Sequence, residues 1–275
     1  MIFPVALPRL TWGAPDAPRH ALLVHGLGSA AALMWRYGVA LAEDGWRATA
    51  VDLRGHGDAP RALDYSIAAY AADLVATGRE DGWPWDLVIG HSLGGAASTS
   101  ASAQDPEWTR RLVLIDPAIH LVDRDAEVIR ASQQRAFDDN RAEQVREEHP
   151  HWHEQDVELK VDAVARASRW AVEQTGAQNL DAWDVRADAA RLAVPTHVIG
   201  ADPEVYSIFD GALAREVLAA NPRITMSVIP RAGHSPHRDR PEETIARLRE
   251  VLASDAFADD EELGDAELGA RSAAR

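Results

Sequence analysis

Leu87-Val88-Ile89-Gly90-His91-Ser92-Leu93-Gly94-Gly95 is the stretch that decides the fold. A short apolar strand runs into a serine with glycine two residues away on each side, and Ala96, Ala97 and Ser98 follow. This is the G-x-S-x-G pattern of a nucleophile elbow. The chain must turn sharply from strand to helix there, which strains the serine backbone and exposes its hydroxyl. Side chains at Gly90 and Gly94 would collide across such a turn, so glycine is the permissive residue. The helix that follows points its N-terminal amides at an oxygen that develops negative charge.

The surrounding pattern alternates. Ala21–His25, Trp46–Val51, Leu87–His91 and Leu112–Ile115 are continuously apolar and are separated by helical periodicity, as are Pro195–Ile199 and Ile224–Val228 nearer the C-terminus. Such strands imply a parallel sheet of an α/β protein, covered on both faces by helices. A last helix is expected from about Pro241 to Leu252, with proline at its first turn. Between about Ile119 and Leu192 strand signals vanish and the chain reads as charged helices with interspersed tryptophans. The expected organisation is a core over 1–118, a helical lid over 119–192, the rest of the core over 193–253, and an acidic, disordered tail over 254–275.

Composition bounds the partners. With 275 residues, 46% of them hydrophobic, the chain can bury a sizeable core. A net charge of -16 argues against nucleic acid or an anionic membrane surface. There is no cysteine, which excludes disulfides, thiolate metal sites and a cysteine nucleophile. No basic leader follows Met1 and no stretch is long enough to span a bilayer, so a cytoplasmic location is expected. A homodimer is compatible with these features. Lys160 is the only lysine, a bias read here as genomic.

Two further segments agree with the elbow. His25-Gly26-Leu27-Gly28 ends the first strong strand and can present the Leu27 amide toward Ser92, with the Leu93 amide as a second donor to an oxyanion. Ala232-Gly233-His234-Ser235-Pro236 follows the last strand, where His234 can act as the general base. Asp202, in Gly200-Ala201-Asp202-Pro203, is the preferred orienting acid because the order is then Ser, Asp, His. Asp116, which ends the strand before the helical segment, competes with it; an aspartate before proline is also a common turn former.

Together these segments resemble the α/β-hydrolase superfamily. The residues that carry the resemblance are His25-Gly26, Asp52-x-Arg54-Gly55-His56-Gly57, Gly90 to Gly95, Gly200 to Pro203 and Gly233-His234. The resemblance implies an eight-stranded, mostly parallel sheet with a lid inserted after the sixth strand. It also implies a carboxylesterase-like serine hydrolase that needs no cofactor or metal and acts on a small-molecule acyl substrate. Ester, thioester, lactone and amide bonds are all open, with an ester of an apolar acid preferred. The acid loop has one residue fewer than is usual in the family, which keeps Asp116 in contention. His25, Gly26, His91, Trp35, Trp152 and Trp170 are the candidates to line the substrate pocket.

Other readings compete. Gly26-Leu27-Gly28-Ser29-Ala30-Ala31 fits G-x-G-x-x-A with Asp52 at the distance of a ribose-binding acid, a dinucleotide pattern, yet Asp52 runs straight into a tight turn. A ligand-binding or signalling protein on the same fold is a further alternative. His149-Pro150-His151-Trp152-His153 looks metal-like, but proline breaks the register and no H-E-x-x-H follows; a hinge segment is expected.

Overall fold

In a computed structural model the described residues are 2–79, 81–179, 183–254 and Phe257. The chain enters through β1 (Arg9–Trp12), β2 (Arg19–Val24), a 3-10 turn over Ala31–Met34, α1 (Trp35–Glu43), β3 (Trp46–Val51), α2 (Ile67–Ala76), β4 (Leu87–His91), α3 (Leu93–Gln104) and β5 (Leu112–Ile115). Among the described residues five helices follow without a strand: α4 (Asp123–Asp138), α5 (Ala142–Glu148), α6 (Glu154–Arg166), α7 (Arg169–Gln178) and α8 (Arg186–Arg191). The core resumes with β6 (Thr196–Gly200), α9 (Gly211–Ala220), β7 (Ile224–Val228), α10 (Pro236–Asp239) and α11 (Pro241–Leu252).

The sheet has seven strands in the order β1-β3-β2-β4-β5-β6-β7, parallel except for β1, which pairs antiparallel with β3. The eight strands expected are therefore seven among the described residues, and the helical segment leaves after the fifth of them rather than the sixth. β1 itself carries no apolar run to mark it: it sits at the sheet edge with three of its four residues exposed. Side chains alternate across the sheet. Leu22 and Val24 face a core layer shared with α2, α3 and α9, while Ala21 and Leu23 face a layer shared with α1 and α11.

The strand order reverses at β2, since β3 lies on one side of it and β4 on the other. Loops leaving β2 and β4 must therefore diverge, opening a crevice at the carboxyl ends of the strands. Gly26 to Gly28 and Ser92 sit on those two loops. The tail expected from residue 254 lies mostly outside the described residues; Phe257 is an exception, buried with Leu248 and Val251. No helix among the described residues is long and apolar enough to cross a membrane.

Candidate active site

Ser92 occupies the turn between β4 and α3 with φ 53° and ψ −117°, a left-handed strain that few non-glycine residues adopt. Its amide still continues the sheet by donating to Ile115 O at 3.1 Å. Close approach explains the flanking glycines. A Cβ on Gly90 would lie 2.6 Å from Gly94 O, and one on Gly94 would lie 2.4 Å from Val24 O. The two glycines thus let β2, β4 and α3 meet at backbone distance.

The Ser92 hydroxyl donates to His234 Nε2 at 2.9 Å, and His234 Nδ1 donates to Asp116 Oδ2 at 2.6 Å. Asp116 is fully buried, with φ 35°, at the end of β5. Ser207 Oγ (2.6 Å) and the Ile208 amide (3.2 Å), both on the loop after β6, also donate to it. The preference for Asp202 is corrected by this geometry. Asp202 turns away from His234 and accepts from the Arg231 amide at 2.6 Å and the Glu204 amide at 2.9 Å. Those two backbone donors hold its carboxyl below the usual range. In the shortened loop buried Ala201 directly follows β6, which ends at Gly200, so Asp202 falls past the strand tip and ties the β6 loop to the one leading to His234.

A cleft of about 1070 Å³ opens over Ser92 and His234. Of the six candidate lining residues Gly26, His91 and Trp152 border it, as does Leu27, expected as an oxyanion donor. His25, Trp35 and Trp170 do not. His25 is fully buried, donating from Nδ1 to Gly26 O at 2.7 Å and accepting the Leu53 amide at Nε2, so it braces the loop after β2. Trp35 donates its indole N–H to Asp156 on α6 at 2.8 Å, and Trp170 is 45% exposed with its ring edge-on to Tyr65. Aromatic residues signal burial somewhere; which neighbour buries them depends on tertiary packing.

His91 Nε2 donates to the backbone oxygen of His234 at 2.8 Å, holding the loop of the base against the elbow. Burial, then the neighbouring His234, keeps the His91 imidazole neutral well below the usual histidine range. Asp239 is a second brace that the sequence did not advertise. One of its oxygens accepts from Trp152 Nε1 at 2.7 Å and the other from the Gly233 amide at 2.8 Å. Gln133 on α4 reaches Leu27 O at 3.4 Å, and Lys160 on α6 donates to Gly28 O at 2.9 Å.

The dinucleotide pattern is not used as one. Asp52 is buried and accepts from the Ala31 and Asp58 amides at 2.8 and 2.9 Å, while the Gly28 amide donates to His56 Nε2 at 3.1 Å. No cluster of metal-ligating side chains forms among the described residues, His149 to His153 included. A smaller hollow of about 370 Å³, lined by Arg9, His20 and Arg47, lies at the other ends of the strands and holds none of the three site residues.

Residues 21–248 match the Alpha/beta hydrolase family, and the chain belongs to it. It is 35% identical over 107 residues to Lipase LipV of Mycobacterium tuberculosis, covering 39% of this chain and 40% of that protein. A longer match, 29% identical over 221 residues, joins it to a 2-succinyl-6-hydroxy-2,4-cyclohexadiene-1-carboxylate synthase of Klebsiella pneumoniae strain 342, covering 76% of this chain and 84% of that one. The chain spans about two fifths of the length of the first curated relatives it matches. Among solved structures, an E-2-(acetamidomethylene)succinate hydrolase superposes with TM-score 0.77 at 21% identity, covering 91% of this chain and 96% of the other, a likeness of fold.

Proposed function

We propose that this protein is a serine hydrolase that cleaves a carboxylic ester or related acyl bond through an acyl-enzyme. The observation that carries the reading is the continuous chain of hydrogen bonds from Ser92 through His234 to buried Asp116. The Ser92 oxygen attacks the acyl carbonyl as His234 Nε2 takes its proton, and the imidazolium returns that proton to the leaving group. Asp116 fixes the tautomer that leaves Nε2 free to accept and stabilises the imidazolium, in a water-poor setting where that attraction is strong. The Leu27 and Leu93 amides, which donate to no acceptor among the described residues, serve as the oxyanion donors. Helices α4 to α8 act as the lid, because α4 and α6 reach the loop after β2 through Gln133 and Lys160. A cytoplasmic setting with a small-molecule acyl substrate belongs to the same reading.

A fluorophosphonate probe with peptide mapping tests it. Labelling confined to Ser92 and absent in Ser92→Ala is the expected result. A folded protein whose Ser92 stays unlabelled would refute an activated serine.

A further inference from the structure

Arg238 is the anomaly of the cleft. It sits on α10, four residues after His234, and its side chain lines the same cavity as Ser92 while only 4% of the residue is exposed. Its Nε and Nη2 have no hydrogen-bond partner among the described residues. The adjacent carboxylate, Asp239, is already engaged on both oxygens, by Trp152 and by Gly233. The guanidinium carbon stands 5.1 Å from the centre of the Trp152 ring, which offers a cation–π contact but no acceptor. A buried guanidinium with idle donors is costly unless a carboxylate or similar fork meets it.

Lys160 approaches the same cavity from α6. Its ammonium spends one of three donors on Gly28 O and keeps two. Burial, then the charge of Arg238, lowers its pKa to about 8, so each cation raises the cost of the other. The wider walls share this sign. Six cations line the cleft. Arg36 is paired with buried Asp156 and Arg240 with Glu243, which leaves Arg135, Lys160, Arg231 and Arg238 facing Glu148, Asp239 and Glu242 in a chain whose net charge is -16. The cleft is thus slightly cationic in a strongly acidic chain, and unpaired donors remain on Arg238 and Lys160.

We infer that the substrate carries a second, anionic carboxylate beside its scissile acyl bond, and that Arg238 and Lys160 bind it. The inference rests on the serine-hydrolase reading and narrows it, replacing the apolar acid expected from sequence with an acidic one. The fork of Arg238 meets the two carboxylate oxygens, and the Lys160 ammonium adds a further donor to one of them. Because Lys160 also holds the Gly28 carbonyl, the bound anion would lie close to the loop that carries the Leu27 amide.

Monomethyl succinate and methyl butyrate test this, since they share chain length and leaving group and differ in the carboxylate. The expected wild-type kcat/KM ratio favours monomethyl succinate by at least tenfold, and Arg238→Gln or Lys160→Met lowers that ratio at least tenfold. A ratio at or below one, or a ratio that neither variant moves, overturns the anion site even when Ser92 labels with fluorophosphonate. A binding arm stands apart from turnover. Titration of Ser92→Ala protein should show saturable succinate binding that Lys160→Met weakens at least fivefold, whereas no binding, or binding of inorganic phosphate alone, overturns the inference. If Ser92 fails to label while succinate binds, the hydrolase reading falls and the anion site stands. Circular dichroism checks that each variant folds; should Arg238→Gln unfold, Lys160→Met decides.

Discussion

The floor of the cleft and its roof are built on different terms. The floor is the set of strand tips and loops that present Ser92, Asp116 and His234. It is buried, bonded through backbone groups, and strained at Ser92, Asp116 and Arg231, all of which have positive φ. The roof, helices α4 to α8, is laced by exposed ion pairs such as Arg130–Glu127 and Arg141–Asp139. It meets the strand-tip loops through side chains such as Gln133, Lys160 and Trp152. Asp156 joins it to α1, Asn179 joins it to the start of α2, and the Ser168 amide donates to Gly55 O. Strain persists only where the surroundings over-determine it, so the floor should tolerate little change and the roof much more.

The largest separation should appear in activity. Asp116→Asn is expected to lower kcat by roughly 10³–10⁴-fold, on the scale seen when a triad acid loses its charge in other hydrolases. Asp202→Asn, which alters a loop staple, should cost less than about tenfold. Steady-state kinetics on any turned-over ester would decide; equal losses would return Asp202 to the site.

Stability should divide in the same way. Arg54 and Asp73 form a bidentate pair at 2.6 Å, both almost wholly buried, and Asp73 also accepts the Val5 amide. Removing one partner leaves an uncompensated buried charge, so Asp73→Ala is expected to cost about 3–5 kcal/mol in urea unfolding. A loss under 1 kcal/mol would mean the turn after β3 does not depend on it.

Acid should loosen the floor first. Burial holds His25 near 4 and His56 near 3, both below the unfolded value of 6.5. Between pH 6.5 and about 4 the unfolded chain therefore binds protons that the folded chain refuses. Their contribution is intact above pH 6.5 and is lost as pH falls, by up to about 1.4 kcal/mol per pH unit for each histidine. Urea midpoints at pH 7.5 and 5.5 should show the drop, and a flat profile would contradict the buried neutral rings. The smallest effect belongs to the roof: Arg130→Ala, which breaks an exposed pair with Glu127, should change stability by less than about 0.5 kcal/mol.

The same contrast explains what could be read in advance. Backbone proximity leaves marks in sequence, because Gly90 and Gly94 have neighbours that exclude any side chain. Ser92 and the strand before it were legible for that reason, and His234 from its place after the last strand with glycine before it. Asp116 was legible only as a competitor. Its selection depends on where the short loop after β6 lets Asp202 fall and on Ser207 and Ile208 donating to Asp116, facts of three-dimensional closure. Trp35 and Trp170 misled because an aromatic ring states that it wants cover without naming its neighbour. Edge strand β1 was missed because its residues are mostly exposed and carry no apolar period.

The Asp239 carboxylate has a consequence for selection by size. Its two oxygens belong to two masters, a tryptophan of the roof and the amide one residue before His234. A guest bulky enough to push Trp152 aside would detach the first oxygen and unsettle the second. Such a guest would be turned over slowly even after it had bound, so discrimination at that wall would be written in the clock of the reaction and not only in the strength of the embrace.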